Sequence, residues 1–203
     1  DSIEIPVSNN VATMLADLEE VAGTRTESQV SNLLSTSVIL SGVLKYTGTS
    51  GSPRPGDGFA LRLVPNATVN LYQVDNEGNI VGGSLGSAVT TAEGEYSIEL
   101  PTGVNLSANL ILQGQVSLTE TISALVTSTN VDIDPVSQYV FEQVVNDSDI
   151  VLTSLSVGDV NGIVEYISTQ VPNSDNQPDL NTALTLIDTQ TGAAVDTQIQ
   201  TIK

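Results

Sequence analysis

The sequence predicts a mainly β protein: an antiparallel β-sandwich over residues 37–133, with helical segments at 1–36 and 134–203. Three observations carry this expectation. Before residue 37, apolar residues recur at helical spacing. From 37 to 133 they alternate along about seven short runs separated by Gly-, Pro- and Asn/Asp-rich turns. From Asp134 onward the helical spacing returns behind an Asp-Pro start.

The elements follow in order. SNNVATMLADLEEVAG places Val11, Leu15, Leu18 and Val21 on one helical face, with Ser8 or Asn9 to cap its start and Gly23 its end. TESQVSNLL offers a second short helix, with Thr26 and Gln29 as a capping-box pair and Val30, Leu33 and Leu34 as its apolar face. SVILSGVLKY reads as a strand with a bulge expected at Gly42. Thr47–Gly58 is a loop by composition. FALRLV and ATVNLYQV are strands, the second with Ala67, Val69 and Leu71 facing one way. Asp75–Asn79 turns the chain, and GGSLGS is expected to be a flexible connection. Ala92, Glu93 and Gly94 form a further turn. In EYSIEL, Tyr96, Ile98 and Leu100 point inward while Glu95, Ser97 and Glu99 face water, and Pro101 and Gly103 end the strand. LSANLILQ, SLTETISALV and NVDI supply the remaining strands.

In DPVSQYVFEQVV, Asp134 is the expected N-cap and Pro135 the first helical residue, with Val136, Val140, Phe141 and Val144 as a stripe. SVGDVNGIVEYI opens with a Ser156–Asp159 capping box and presents Ile163, Val164 and Ile167. Pro172–Asp179 is a loop. Leu180–Asp188 is expected to be helical, followed by a frayed tail, with a hairpin around Gly192 as the alternative. There is no internal repeat.

The stretch ATVNLYQVDNEGNIVGG…VTTAEGEYSIELPTG resembles the carboxypeptidase regulatory-like, prealbumin-type β-sandwich modules. The shared pattern is an alternating A-x-V-x-L-Y strand, a D-x-x-G turn, and then T-T-x-x-G-x-Y-x-I-x-L-P-x-G. NVDIDPVSQYV is similar to the helix start that trails such modules in some bacterial surface lipoproteins. The resemblance covers about residues 38–145, roughly half of the chain. It implies an Ig/prealbumin-like sandwich. It says little about activity, because such modules accompany peptidases, transporters and adhesins alike.

Composition narrows the function classes. The chain has 203 residues, which suits one or two domains. With 24 acidic and 5 basic residues its formal net charge is -19, so nucleic acid is disfavoured as a partner for want of clustered Lys and Arg. Cations or basic partners fit that charge better. There is no His and no Cys, which removes His-dependent triads, thiol proteases and thiolate zinc sites. No apolar run approaches the roughly 20 residues of a membrane span. The sequence begins at Asp1 rather than Met, so a processed or trimmed form is expected, and any export signal or lipid anchor would lie upstream.

The candidate metal ligands are Asp132 and Asp134 together with Asp147 and Asp149. Alternating Asp residues on an extended chain put two carboxylates on one side, as a calcium site requires. Against this stands a purely structural role, with Asp134 capping the helix. DNEGN fails as an EF-hand loop because Gly78 comes at its fourth position, and GDVNG scans as a helix start. Most of the five tyrosines sit on expected apolar faces, which favours a core role over a sugar platform. Three Asn-x-Ser/Thr sequons, at Asn66, Asn105 and Asn146, are expected by chance in so Ser/Thr-rich a chain. The functional expectation is a non-catalytic, extracytoplasmic module of a bacterial surface protein, acting in adhesion, binding or scaffolding, with a protein or glycan as partner. The alternative is a calcium- or glycan-binding accessory domain of a polysaccharide-handling system.

Overall fold

Two periodicities divide the chain near Asp134, and each builds the element it predicts. The computed structural model describes residues 37–47, 62–171 and 177–203. The two helices expected within 1–36, most of the 47–58 loop and the start of FALRLV lie outside the described residues. Residues Val38–Lys203 form one compact unit.

The strands among the described residues are β1 (Ile39–Val43), β2 (Lys45–Tyr46), β3 (Arg62–Leu63), β4 (Thr68–Val74), β5 (Ile80–Val89), β6 (Glu95–Glu99), β7 (Leu110–Gln115) and β8 (Thr121–Leu125). Among the described residues three α-helices follow, α1 (Pro135–Asn146), α2 (Val157–Gln170) and α3 (Leu180–Ile202), with a short 3-10 turn at Leu152–Ser154. Every strand pair is antiparallel. The largest sheet has the order β5-β4-β7-β8, while β1 pairs with β6 and β2 with β3. NVDI, expected as a strand, instead runs beside β1 through isolated parallel bridges, Ser41 to Asn130 and Leu44 to Ile133.

The four-stranded sheet is covered on both faces. Val69 and Leu71 of β4, Leu112 of β7 and Ile122 of β8 meet Leu40 of β1 and Ile98 of β6 in one cluster. The intervening residues turn the other way. Val74, Ile111 and Leu125 pack with Val140, Ile163 and Ile187 from the helices in a second cluster. This is why Leu110-Ile111-Leu112 is an unbroken apolar run, since a strand buried on both faces has no solvent side to alternate with. In β6 the alternation is clean: Tyr96, Ile98 and Leu100 are buried, while Glu95, Ser97 and Glu99 are exposed.

Turn and cap chemistry is local. Asp75 Oδ1 accepts the Glu77 and Asn79 amides at 3.1 and 2.8 Å, and Gly78 supplies the φ of 77° that closes this turn. Asp134 accepts the Ser137 amide at 2.9 Å, and Ser137 Oγ accepts the Asp134 amide at 2.9 Å, a closed capping box. At α2 only the forward bond of the expected box is made, with Ser156 Oγ accepting the Asp159 amide at 3.4 Å. Asp179 caps α3 through the Thr182 amide at 2.8 Å.

Three expectations are corrected. Gly42 is not a bulge, because the β1–β6 register runs unbroken from Ile39–Glu99 to Val43–Glu95. Its glycine is required because a Cβ there would overlap the Val131 carbonyl and lie 2.9 Å from the Tyr96 hydroxyl. The irregularity comes at Leu44, where the chain leaves β6 and continues into the β2–β3 pair. GGSLGS is not a connection but the middle of β5. It bulges there, so that Gly82–Leu85 lie opposite Tyr72 alone. Finally, α3 continues through Gly192 to Ile202 with neither hairpin nor frayed tail. Gly192 is buried where α3 meets α1, with Tyr139 Oη 3.5 Å from where its Cβ would stand. The α3 stripe Ile187, Val195 and Ile199 is held by packing that helix propensity alone does not register.

Candidate functional site

The four carboxylates singled out in the sequence fall into two separate places. Asp132 lies within the segment that runs beside β1. It accepts the Val43 amide at 3.0 Å and pairs with the Lys45 ammonium. Its neighbour Asp134 is the N-cap of α1. Both line a cleft of about 220 Å³ between the 125–134 chain and helices α1 and α2, over Val140 and Val164. Asp147 is the C-cap of the same helix. It accepts the Asp149 amide at 3.0 Å and the Lys203 ammonium at 2.5 Å. Lys203 also lies 3.6 Å from Asp149. A cleft of about 400 Å³ gathers Asp147, Asp149, Asp196 and Lys203 at that end.

Asp134 and Asp147 thus stand at opposite ends of a 12-residue helix, about 20 Å apart at 1.5 Å per residue. One ion cannot be shared by both pairs. Among the described residues there is no group of three or more His, Cys, Asp or Glu placed to hold a metal ion.

The electrostatics match these partners. The hydrogen bond from Lys203 holds the Asp147 carboxyl below the usual carboxylate range, and the same contact raises the Lys203 ammonium. The Asn79 backbone amide, helped by the Asn79 side chain, holds Asp75 low in the 75–79 turn. Burial pushes three tyrosine hydroxyls up. Tyr96 donates to the Val131 carbonyl with Asp132 nearby, Tyr139 donates to Asp188, and Tyr46 donates to Glu120. Tyr72 and Tyr166 pack against the helix-side core. Each tyrosine is therefore engaged in packing rather than displayed as a flat stacking surface.

β5 lies at the edge of the largest sheet, and its Ala88 and Val89 help line a cleft of about 520 Å³ with Val43, Glu95 and Tyr96. The signal was present in the sequence as an uncharged run, Ile80–Ala92, in a chain of net charge -19. That run is marked by missing charge rather than by any reactive side chain.

No protein-family model matches the chain, and no curated protein matches it. Among solved structures, the crystal structure of the major plantain pollen allergen Pla l 1 aligns at 12% identity and a TM-score of 0.31, over 49% of this chain and 90% of that one. A likeness that loose carries no argument about fold or function.

Proposed function

We propose that the chain is a non-catalytic binding or scaffolding module of an extracytoplasmic bacterial surface protein, built on a prealbumin-like β-sandwich. The observation that carries this reading is where the polar groups are spent. Asp132 is engaged by a backbone amide and Lys45, Asp134, Ser156 and Asp179 cap helices, and Asp147 holds Lys203. In the T-T-x-x-G-x-Y-x-I-x-L-P-x-G stretch, Tyr96, Ile98 and Leu100 are core and Gly94, at φ 72°, is turn. Such a scaffold leaves its surface, rather than a reactive constellation, as the working part. The two sheets meeting across one cluster support the sandwich, and the surplus of acidic residues supports a basic or cationic counterpart over nucleic acid.

Two measurements test it together. Screens against esters, peptides and glycosides should show no turnover above background. Immobilised protein should retain a ligand from bacterial envelope fractions or a glycan array. Turnover abolished by one Asp or Glu substitution would overturn the reading.

A further inference from the structure

The two ends of the large sheet are finished differently. At β8 the Ser123 amide donates to Gln138 Oε1 of α1 at 2.5 Å, and Ser123 is buried. At the other end β5 pairs with β4 alone among the described residues. Thr90, just past the strand, turns both of its main-chain groups inward. Its N–H reaches the Ala67 carbonyl at 2.9 Å and its carbonyl accepts the Asn66 amide at 3.1 Å. Antiparallel alternation then points the N–H and C=O of Ser87 and Val89 away from β4. Both residues are exposed, Val89 at 63%.

Natural edge strands are blunted by charge, proline or a bulge, and the one bulge of β5 lies at Gly82–Leu85, outside its Gly86–Val89 end. This edge has neither charge nor proline from Ile80 to Ala92. The bulge at Gly82–Leu85 confines the regular ladder with β4 at this end to Gly86–Val89. The 520 Å³ cleft adjoins that segment, and Glu95 is the one charged residue among the described residues lining it. Exposed acidic groups bracket β5 at both ends, Glu77 before it and Glu93 and Glu95 after it.

We propose that Gly86–Val89 is a docking edge for an extended segment of a partner protein, uncharged at its centre and basic at its flanks, added to β5 by main-chain hydrogen bonds. This rests on the binding-module reading and names the class of partner. The uncharged centre matches the strand and the cleft beside it, and the basic flanks match Glu77, Glu93 and Glu95. A second copy of this chain fits less well. An antiparallel β5–β5 pair would set the Glu77 end of one copy beside the Glu93 and Glu95 end of the other, opposing like charges.

The test uses the full chain and a labelled probe, acetyl-Lys-Lys-Val-Thr-Val-Thr-Val-Lys-Lys-amide. Two controls accompany it: one with Glu in place of Lys, and one N-methylated at alternate residues. The Lys-flanked probe should bind at least about tenfold tighter than the Glu-flanked one, because complementary charge sets the preference. N-methylation should remove binding. Ser87→Pro, which deletes an outward N–H where an edge strand accepts proline, should weaken binding about tenfold without lowering the Tm. Glu95→Lys should weaken the Lys-flanked probe and improve the Glu-flanked one. Should Ser87→Pro not fold, the N-methylated probe and Glu95→Lys still decide. Binding that survives both N-methylation and Ser87→Pro is bulk charge attraction and overturns the proposal. A dimer in sedimentation that Ser87→Pro dissociates assigns the edge to a second copy and also overturns it. If none of the probes bind while envelope capture succeeds, the edge proposal falls and the module reading stands.

Discussion

The Tyr139 hydroxyl of α1 donates to Asp188 Oδ1 of α3 at 2.9 Å, directly over buried Gly192. A Cβ at Gly192 would lie 2.9 Å from that same Asp188 oxygen. Gly192→Ala therefore sets two effects against each other. Helix propensity favours Ala by about 1 kcal/mol, while displacing Asp188 from a part-buried tyrosine costs about 1–3 kcal/mol. The expected net effect in urea titration is a loss of about 1 kcal/mol. In the Tyr139→Phe background Asp188 is free to move, and the same substitution should become neutral or stabilising.

Gly42→Ala should cost more, about 3 kcal/mol, because the added methyl meets rigid backbone at the Val131 carbonyl. The same carbonyl accepts the buried Tyr96 hydroxyl. Tyr96→Phe should cost about 1–3 kcal/mol by leaving that acceptor without its donor. The two losses should not add, since both substitutions disturb one carbonyl, and a double-mutant cycle by chemical denaturation measures the coupling.

The pH dependence has a definite sign on each side. Asp147 and Asp75 have folded values below their unfolded ones, so their contribution is present above about pH 4 and is lost as pH falls through the folded values. Lys203 is raised, so its contribution is present below about pH 10 and is lost as pH rises through its folded value. Tyr96, Tyr139 and Tyr46 are raised, chiefly by burial, and destabilise the fold as pH climbs past about 10, where the unfolded chain ionises first. The stability gap between wild type and Lys203→Met should thus be widest between these limits and close at both extremes. Thermal melts across pH measure it. A gap that persists at pH 2 would show that Lys203 acts through packing instead.

Calcium should behave as an ordinary screening ion. With Asp132 paired to Lys45 and Asp147 to Lys203, neither carboxylate pair is arranged as a calcium cage. Melting curves in calcium and in magnesium at matched ionic strength should show the same small rise, caused by screening of the net charge of -19. A calcium-specific rise of about 2.7 kcal/mol at 100 times the dissociation constant, abolished by Asp132→Ala, would establish the accessory calcium-binding reading instead.

The parts legible in the sequence are those governed by neighbours along the chain. Period two made Tyr96, Ile98 and Leu100 readable as one buried face, and the Asp134-Pro135 start and Ser156 cap are chemistry within three residues. Tertiary contact decided the rest. Gly42 looks like a bulge until the Val131 carbonyl lies against it, and Gly192 looks like a helix stop until α1 packs onto it. GGSLGS has the composition of a linker, yet pairing with β4 makes it strand. The two Asp pairs are separable in the sequence itself, because the helix read over DPVSQYVFEQVV already holds Asp134 and Asp147 about 20 Å apart, whereas the pairing of Asp132 with Lys45 and of Asp147 with Lys203 is decided by tertiary contact. Local rules act over a few residues and are written in the sequence, whereas close approach and the spacing between side chains are properties of packed elements and exist only once the chain has folded.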